Sequence, residues 1–361
     1  MSEAGSGTTP AQPEGARLEE GRAASAGDLG GRRILVTGGS GFIGRHVVAE
    51  LSREGAQIRV VDLNPHPDPT VELVQGDIAD PGVLERALDG GTDAVVHLAA
   101  VTSVLRSLEH PGLTYTTNVA GTHELLEAAR AAGVRALAFA STNAVTGAMQ
   151  ARAIVETATL RPLTPYGATK AAAEMLMSDY SSSYGLRCVA LRLTNVYGPG
   201  MQAKDSIVAR LMRAIRLERT FEIYGDGRQV RDYVHVTDVV GAIKLALTGE
   251  QWQGPMVIGS GDSLSVLDVV EEVRRVSGAA LDVRHGPAKP GEMPAVVVDP
   301  SRARAAGWSP RYTFSEGLRG VWEEWATAEV QAMTGPPSVP GMQVASSPPL
   351  GQPARASGTG R

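Results

Sequence analysis

Tyr166 and Lys170 stand four residues apart in Tyr166-Gly167-Ala168-Thr169-Lys170, within a stretch that reads as helix. At that spacing the two side chains share one face. A phenol with its ordinary pKa of about 10 is a poor base at neutral pH, and a neighbouring ammonium favours the phenolate and lowers that value. Such a pair can take the proton from an alcohol while the carbinol carbon gives up a hydride. By itself the spacing is more often that of a surface pair. Ser141 and Thr142 shift the balance, because they stand at the end of an expected strand, where a hydroxyl can hydrogen-bond and orient the reacting oxygen.

A hydride needs a carrier. Gly38, Gly41 and Gly44 are spaced three apart in Thr37-Gly38-Gly39-Ser40-Gly41-Phe42-Ile43-Gly44, between an apolar strand at 33–37 and a helical pattern at 42–54. Without Cβ atoms, backbone N–H groups at the start of a helix can approach a pyrophosphate. Asp62 ends the second expected strand, at 57–62. A carboxylate there hydrogen-bonds the adenosine ribose and repels a 2′-phosphate, so NAD is expected rather than NADP. Asp77 and Ile78, after the third strand, are placed to flank the adenine.

These residues need a frame. Strands are expected at 33–37, 57–62, 71–75, 93–98, 135–140 and 186–193, with helices at 42–54, 81–88, 112–132 and 165–184. Asp80 followed by Pro81 predicts the start of the second helix. Regular strand–helix alternation requires parallel pairing with helical crossovers, hence an α/β fold with a doubly wound parallel sheet of Rossmann type. In such sheets ligands sit at the carboxyl ends of the strands, where Gly38, Asp62, Ala99 and Thr142 fall. Beyond Tyr197 the pattern loosens, which predicts a smaller, mixed C-terminal substrate-binding subdomain. The division is a disordered tail at 1–31, an NAD-binding domain with the catalytic helix at 32–195, a mainly substrate-binding part at 196–330, and a Pro/Gly/Ser-rich disordered tail at 331–361.

The chain has 361 residues, a net charge of −5 and 43% hydrophobic residues. The slight acidity argues against nucleic acid as a partner. No apolar run is long enough to span a bilayer, and the N-terminus lacks the apolar core of a signal peptide. A single cysteine, Cys188, excludes an internal disulfide and fits a reducing compartment, so a cytoplasmic location is expected. No metal site is expected.

In this order the motifs resemble the extended short-chain dehydrogenase/reductase superfamily, and within it the nucleotide-sugar epimerase/dehydratase family typified by UDP-glucose 4-epimerase. The matching segments are the glycine turn, His97-Leu98-Ala99-Ala100, Asn118-Val119-Ala120-Gly121-Thr122, Tyr166 to Lys170 and Arg192-Leu193-Thr194-Asn195-Val196-Tyr197-Gly198-Pro199. Gln229-Val230-Arg231-Asp232-Tyr233-Val234-His235-Val236 and Lys289-Pro290-Gly291-Glu292 complete the set. The resemblance implies a tightly held NAD and a nucleoside-diphosphate-hexose substrate. Phe42 and Ile43 would line the pyrophosphate turn, Asp77 and Ile78 the adenine, and Leu98, Ala99, Ala100 and Asn118 the rest of the cofactor. Thr142 and Ser141 would serve Tyr166, the base, with Lys170 as its partner. Thr102, Asn195, Tyr224 and Arg231 would meet the substrate with Thr142 and Tyr166, a guanidinium fork suiting its diphosphate. Lys289 and Glu292 would lie at the nucleoside, where many relatives carry arginine and aspartate. Relatives also imply a homodimer through the helices at 111–132 and 165–184.

The outcome of the redox cycle hangs on the residues after Thr142. Relatives that eliminate water or carbon dioxide need an acid there, and this chain has Asn143 and Ala144, which cannot protonate a leaving hydroxide. Epimerisation at C4 of a UDP-hexose or UDP-hexuronate is therefore expected. A dehydratase or net dehydrogenase is the alternative within enzymes. A non-catalytic dinucleotide sensor is the alternative outside them, and one that would usually have lost Tyr166 or Lys170.

Overall fold

Strand β1 (Arg33–Thr37) shows how the sheet is filled from both sides. Ile34 and Val36 are buried on one face with Val47, Val48 and Leu51 of α1 (Phe42–Arg53), while Leu35 is buried on the other with Leu84 and Leu125. A strand whose consecutive apolar residues are buried on both sides belongs in a parallel sheet covered on both faces. The computed structural model describes residues 29–148, 152–288 and 295–328.

The remaining strands are β2 (Gln57–Asp62), β3 (Glu72–Gln75), β4 (Ala94–His97), β5 (Ala136–Thr142), β6 (Arg187–Leu193), β7 (Asn195–Tyr197), β8 (Phe221–Tyr224), β9 (Val230–His235), β10 (Gly254–Ile258), β11 (Ser263–Ser265) and β12 (Val283–Gly286). The helices after α1 are α2 (Pro81–Leu88), α3 (Val104–Glu109), α4 (Pro111–Tyr115), α5 (Gly121–Ala131), α6 (Pro165–Tyr184), α7 (Ile207–Arg216), α8 (Val236–Thr248), α9 (Val266–Ser277), α10 (Ser301–Ala305) and α11 (Phe314–Thr327). Seven strands form one sheet in the order β10-β6-β5-β4-β1-β2-β3, every pair parallel. The strand order reverses between β1 and β4, the crevice at which doubly wound sheets bind ligands. One layer of helices includes α1 and α8, the other α2, α5 and α6. A third cluster, built from α7, α9 and α11, is the core of the C-terminal part, with its small sheets β11-β9-β7 and β12-β8.

The doubly wound parallel sheet with a smaller mixed C-terminal part is thus the fold, with four adjustments to the expected elements. The sheet does not end at residue 195: β10 comes from the C-terminal half and pairs with β6, and α8 packs beneath them. Leu29, expected in the N-terminal tail, is buried in the core; the rest of both expected tails lies outside the described residues, apart from the short approach to β1. The long helix expected at 112–132 is interrupted by a π-helical turn at Thr116–Ala120. Strand β5 runs on through Ser141 and Thr142.

Helix α6 starts and stops where its sequence says. Thr164 caps it by accepting from the Gly167 N–H at 3.2 Å, and Pro165 occupies the first turn, where its missing N–H costs nothing. Gly185, at φ +71°, ends it in the left-handed region.

Candidate active site

The glycine turn is built so that the backbone can come close. A Cβ on Gly38, at φ +71°, would lie 2.6 Å from the Ala99 nitrogen, and one on Gly44 would lie 2.2 Å from the Gly38 carbonyl oxygen. Only glycine lets β1, the turn, α1 and the segment after β4 meet this tightly. Gly41 stands at the N-cap of α1 and brings no side-chain acceptor, and no carboxylate sits in the first turn. Helix N–H groups at Phe42 and Ile43 are therefore uncapped by the turn itself, the arrangement that binds a phosphate anion. The Asp62 carboxylate lies against this turn, accepting from Ser40 N–H at 3.0 Å and Asn64 N–H at 2.9 Å. This cradle fits a dinucleotide: close backbone, helix terminus and an acid at the end of β2. Asp77 accepts from Ala79 N–H at 3.0 Å, and Ile78 is buried against Gly121, where a Cβ would come within 2.9 Å.

Around this cradle runs a buried polar network that spacing does not reveal. Thr122 has one hydroxyl hydrogen and gives it to the Asn118 carbonyl at 2.7 Å, so His97 Nε2 must donate to Thr122 Oγ1 at 3.0 Å. His97 Nδ1 is then the acceptor for the Thr37 hydroxyl at 2.7 Å, and Thr37 Oγ1 accepts from Ala99 N–H at 3.3 Å. Burial, with the Lys170 charge adding to it, pushes the imidazole down to about 3, so it stays neutral in this one tautomer. The Asn118 amide is spent on the same scaffold. Its Oδ1 accepts from Val101 N–H at 2.8 Å, and its Nδ2 donates to Val101 O at 3.0 Å and Thr169 Oγ1 at 3.1 Å. Leu98, Ala99 and Ala100 are thereby held between β1 and the π-turn.

At the end of β5 three predicted residues converge. The half-buried Tyr166 phenol lies beside the Thr142 hydroxyl, which favours its ionised form. Lys170, 2% exposed, donates from Nζ to the Ala140 carbonyl at 2.8 Å and lies 4.3 Å from the centroid of the Phe139 ring. The close approach of α6 to the loop after β5 explains Gly167: a side chain there would come within 2.6 Å of Ala144 O. The expectation that Lys170 depresses the phenol does not hold. Burial pushes Tyr166 up to about 12, with only the Thr142 hydroxyl pulling it down. Burial likewise pulls Lys170 down to about 7, against the pull of the Glu174 carboxylate. Neither charge is favoured in this pocket until a further charge joins it.

Ser141 is turned the other way, as its alternation with Thr142 along β5 requires. Its hydroxyl donates to Glu174 Oε1, and Glu174 forms a buried ion pair with Arg192 at 2.8 Å. Arg192 also donates to Glu156 O at 2.9 Å, and Glu156 Oε1 accepts from Val257 N–H at 2.9 Å. Ser141 therefore belongs to a brace joining β5, α6, β6 and β10, and not to the group around the phenol. Asn143, just past Thr142, is buried with neither amide atom hydrogen-bonded among the described residues.

Of the expected substrate residues, Asn195, Tyr224 and Arg231 stand in the small sheets of the C-terminal part. Asn195 follows β6, whose Leu193 is in register with Thr142, and its Nδ2 donates to Asp232 O at 2.9 Å. Arg231 donates to the Val230 carbonyl at 2.8 Å, and Tyr224 ends β8 with the Arg210 guanidinium 5.8 Å from its ring centroid. The buried Asp232 carboxylate locks this strand, accepting from Ser260 N–H, Ser260 Oγ and Gly261 N–H at 2.8–2.9 Å. Thr102 is exposed on the segment after β4. Lys289 and Glu292 lie outside the described residues. The braces at His97, Glu174–Arg192 and Asp232 were missed from sequence; each was visible only as a polar residue inside an apolar strand or helix.

The model of the NAD dependent epimerase/dehydratase family matches residues 34–259. A UDP-glucose 4-epimerase of Lactobacillus helveticus is 32% identical over 318 residues, covering 81% of this chain and 96% of that protein. A dTDP-glucose 4,6-dehydratase of Streptomyces niveus is 34% identical over 305 residues, covering 79% and 90%. The crystal structure of the Thermus thermophilus UDP-glucose 4-epimerase in complex with NAD superposes with a TM-score of 0.78 at 36% identity, covering 82% of this chain and 100% of that one.

Proposed function

Because this chain belongs to the NAD-dependent epimerase/dehydratase family, we propose that it inverts C4 of a nucleoside-diphosphate sugar, a UDP-hexose or UDP-hexuronate, through a transient 4-keto sugar. The observation that carries this reading is the meeting of Thr142, Tyr166 and Lys170 at the end of β5, beside a glycine turn shaped for a dinucleotide. The turn from Gly38 through Gly41, Phe42 and Ile43 to Gly44 would hold the NAD diphosphate. Asp62 would hold the adenosine ribose, Asp77 and Ile78 the adenine side, and Leu98, Ala99, Ala100 and Asn118 the length between. Bound NAD supplies a hydride acceptor that becomes the donor in the return half of the cycle, and a positive ring in its oxidised form.

The chain's own groups move the proton. Thr142 orients the C4 hydroxyl, and Tyr166 takes its proton. With the phenol held up to about 12 by burial and Lys170 pulled down to about 7, this needs the further positive charge that the oxidised cofactor would bring, to which Lys170 in its ammonium form would add. Epimerisation then returns the same proton to the keto oxygen after the sugar has turned, so no net redox change or leaving group arises. Asn195 and Arg231 would steady the substrate diphosphate, with Thr102 and Tyr224 along the sugar nucleotide and Lys289 and Glu292 toward the nucleoside.

Dehydration is the second reading, favoured by likeness to the dTDP-glucose dehydratase. Asn143 and Ala144 count against it, since neither can protonate a departing hydroxide. A panel of UDP-glucose, UDP-galactose, UDP-glucuronate and their N-acetyl relatives, read by NMR of the products, tests the choice. Interconversion of one C4 pair is expected. A product lighter by one water, or accumulating NADH, selects the alternative, and NAD binding without turnover selects a sensor. Tyr166→Phe should stop turnover and leave NAD binding in place.

A homodimer fits the same reading. Leu105, Leu108, Tyr115 and Met175 are each 57–60% exposed on α3, α4 and α6, an apolar surface that a second copy would cover. Sedimentation of Leu108→Arg against the parent chain checks it. No described helix is long and apolar enough to cross a membrane. A cytoplasmic site of action accords with the buried Cys188, whose thiol burial pushes up to about 11.

A further inference from the structure

Lys204 is a half-buried lysine in the loop that follows β7. Its ammonium lies 5.0 Å from the centroid of the Phe42 ring. Phe42 is the first residue of α1, in the glycine turn. Among the described residues no carboxylate pairs with Lys204; the neighbouring Asp205 faces Arg210 instead, at 4.0 Å. Burial disfavours the ammonium with no opposing contribution, and a cation–π contact with a phenyl ring offsets only part of that.

The loop that carries this lysine is not free to turn it away. Arg45 donates to Gly200 O at 3.0 Å, and His46 Nε2 meets Pro199 O at 2.8 Å, both from the helix that starts at Phe42. Gly200 N–H donates to Glu324 at 2.7 Å. Arg213 donates to both Gln202 O and Lys204 O at 2.9 Å. Two sources of positive potential, the N-terminus of α1 and this ammonium, thus share Phe42 as a neighbour with no protein anion paired to either among the described residues. That arrangement is unfavourable unless an anion completes it.

We propose that Lys204 is a ligand of the nucleotide diphosphate at the glycine turn, reaching over Phe42 to the anion held at the start of α1. The assignment rests on the reading of that turn as a dinucleotide site and extends it across to the C-terminal part of the chain. Two nucleotides carry a diphosphate here, the dinucleotide and the sugar nucleotide. Contact with Phe42, a residue of the turn itself, selects the dinucleotide. Loading the cofactor would then also fasten the Pro199–Asp205 loop.

Calorimetric titration of the full chain separates the possibilities, with ADP-ribose, adenosine and UDP as probes. Lys204→Met keeps a side chain of similar length on Phe42 while removing the charge. It should weaken ADP-ribose about 10- to 100-fold, flatten the salt dependence of that affinity, leave adenosine and UDP unchanged, and not lower the thermal midpoint of the unliganded chain. Lys204→Arg should restore ADP-ribose to within a few-fold. Unchanged ADP-ribose affinity in Lys204→Met overturns the proposal. So does an equal loss for adenosine, which would mark a structural role, or a loss confined to UDP, which would assign the ammonium to the sugar nucleotide. If the parent chain binds neither ADP-ribose nor UDP, the reading of the site itself fails, and the proposal with it.

Discussion

Replacing Lys170 by methionine should destroy turnover and yet make the chain more stable at acid pH. The methionine fills nearly the same space, so packing changes little. What it removes is a buried ammonium. Burial pulls Lys170 from 10.5 down to about 7, against the Glu174 carboxylate. At 1.36 kcal/mol per pH unit that gap is worth about 5 kcal/mol. That gap is net of what the Ala140 carbonyl at 2.8 Å and the Phe139 ring at 4.3 Å return to the ammonium. The gain on Lys170→Met at pH 6, relative to pH 10.5, is then on the order of 5 kcal/mol.

The sign with pH follows from proton counting. Above 10.5 the amine is neutral in both folded and unfolded chains, so it carries no penalty. Between 10.5 and 7 the unfolded chain holds a proton that the folded chain lacks, and folding loses ground as pH falls. Below 7 the folded chain holds the buried charge and the penalty is full. The advantage of Lys170→Met should therefore be largest near pH 6, shrink steadily from pH 7 upward, and vanish near pH 10.5. Urea midpoints of both chains at pH 6, 8 and 10 measure it. A variant less stable than its parent at pH 6, or a gap that does not change with pH, would refute the claim that Lys170 is held charged against its surroundings.

Ser141→Ala removes a donor to the buried Glu174–Arg192 pair and should cost about 1.5–3 kcal/mol in urea titration with turnover within a few-fold of the parent. Thr142→Val should do the reverse, lowering kcat about 100-fold with a small change in stability; equal losses of activity in both would undo the separation of the two hydroxyls. Gly44→Ala places a Cβ 2.2 Å from a backbone oxygen, so α1 must move off β1, and the thermal midpoint and NAD affinity should fall together. Asn143→Ala removes two buried amide atoms that lack partners among the described residues and should raise stability by about 1–3 kcal/mol; a fall in the melting temperature would mean that the amide is satisfied.

The outcomes for Ser141 and Thr142 show where sequence reading holds and where it stops. Spacing and element type were legible: three glycines between a strand and a helix, an acid at the end of β2, and the helix at 165–184 with Tyr166 and Lys170. These follow from local rules that act within a few residues. The partner of β10 was not legible, because a five-residue apolar strand carries no mark of which parallel edge will take it. Nor was the π-turn at Thr116–Ala120, where Asn118 and Thr122 are tied to Val101, Thr169 and His97 by bonds from elements far apart in the chain. The pKa of Tyr166 failed for the same reason: i,i+4 spacing states proximity, whereas the shift is set by burial, a property of the whole packed core. The facing of Ser141 is a different case. Successive residues of a strand point to opposite sides, which separates the two hydroxyls, but the phenol and the Glu174 carboxylate both stand on α6, so alternation alone does not say which hydroxyl meets which. That took the packing of α6 against the end of β5, where Ser141 meets Glu174.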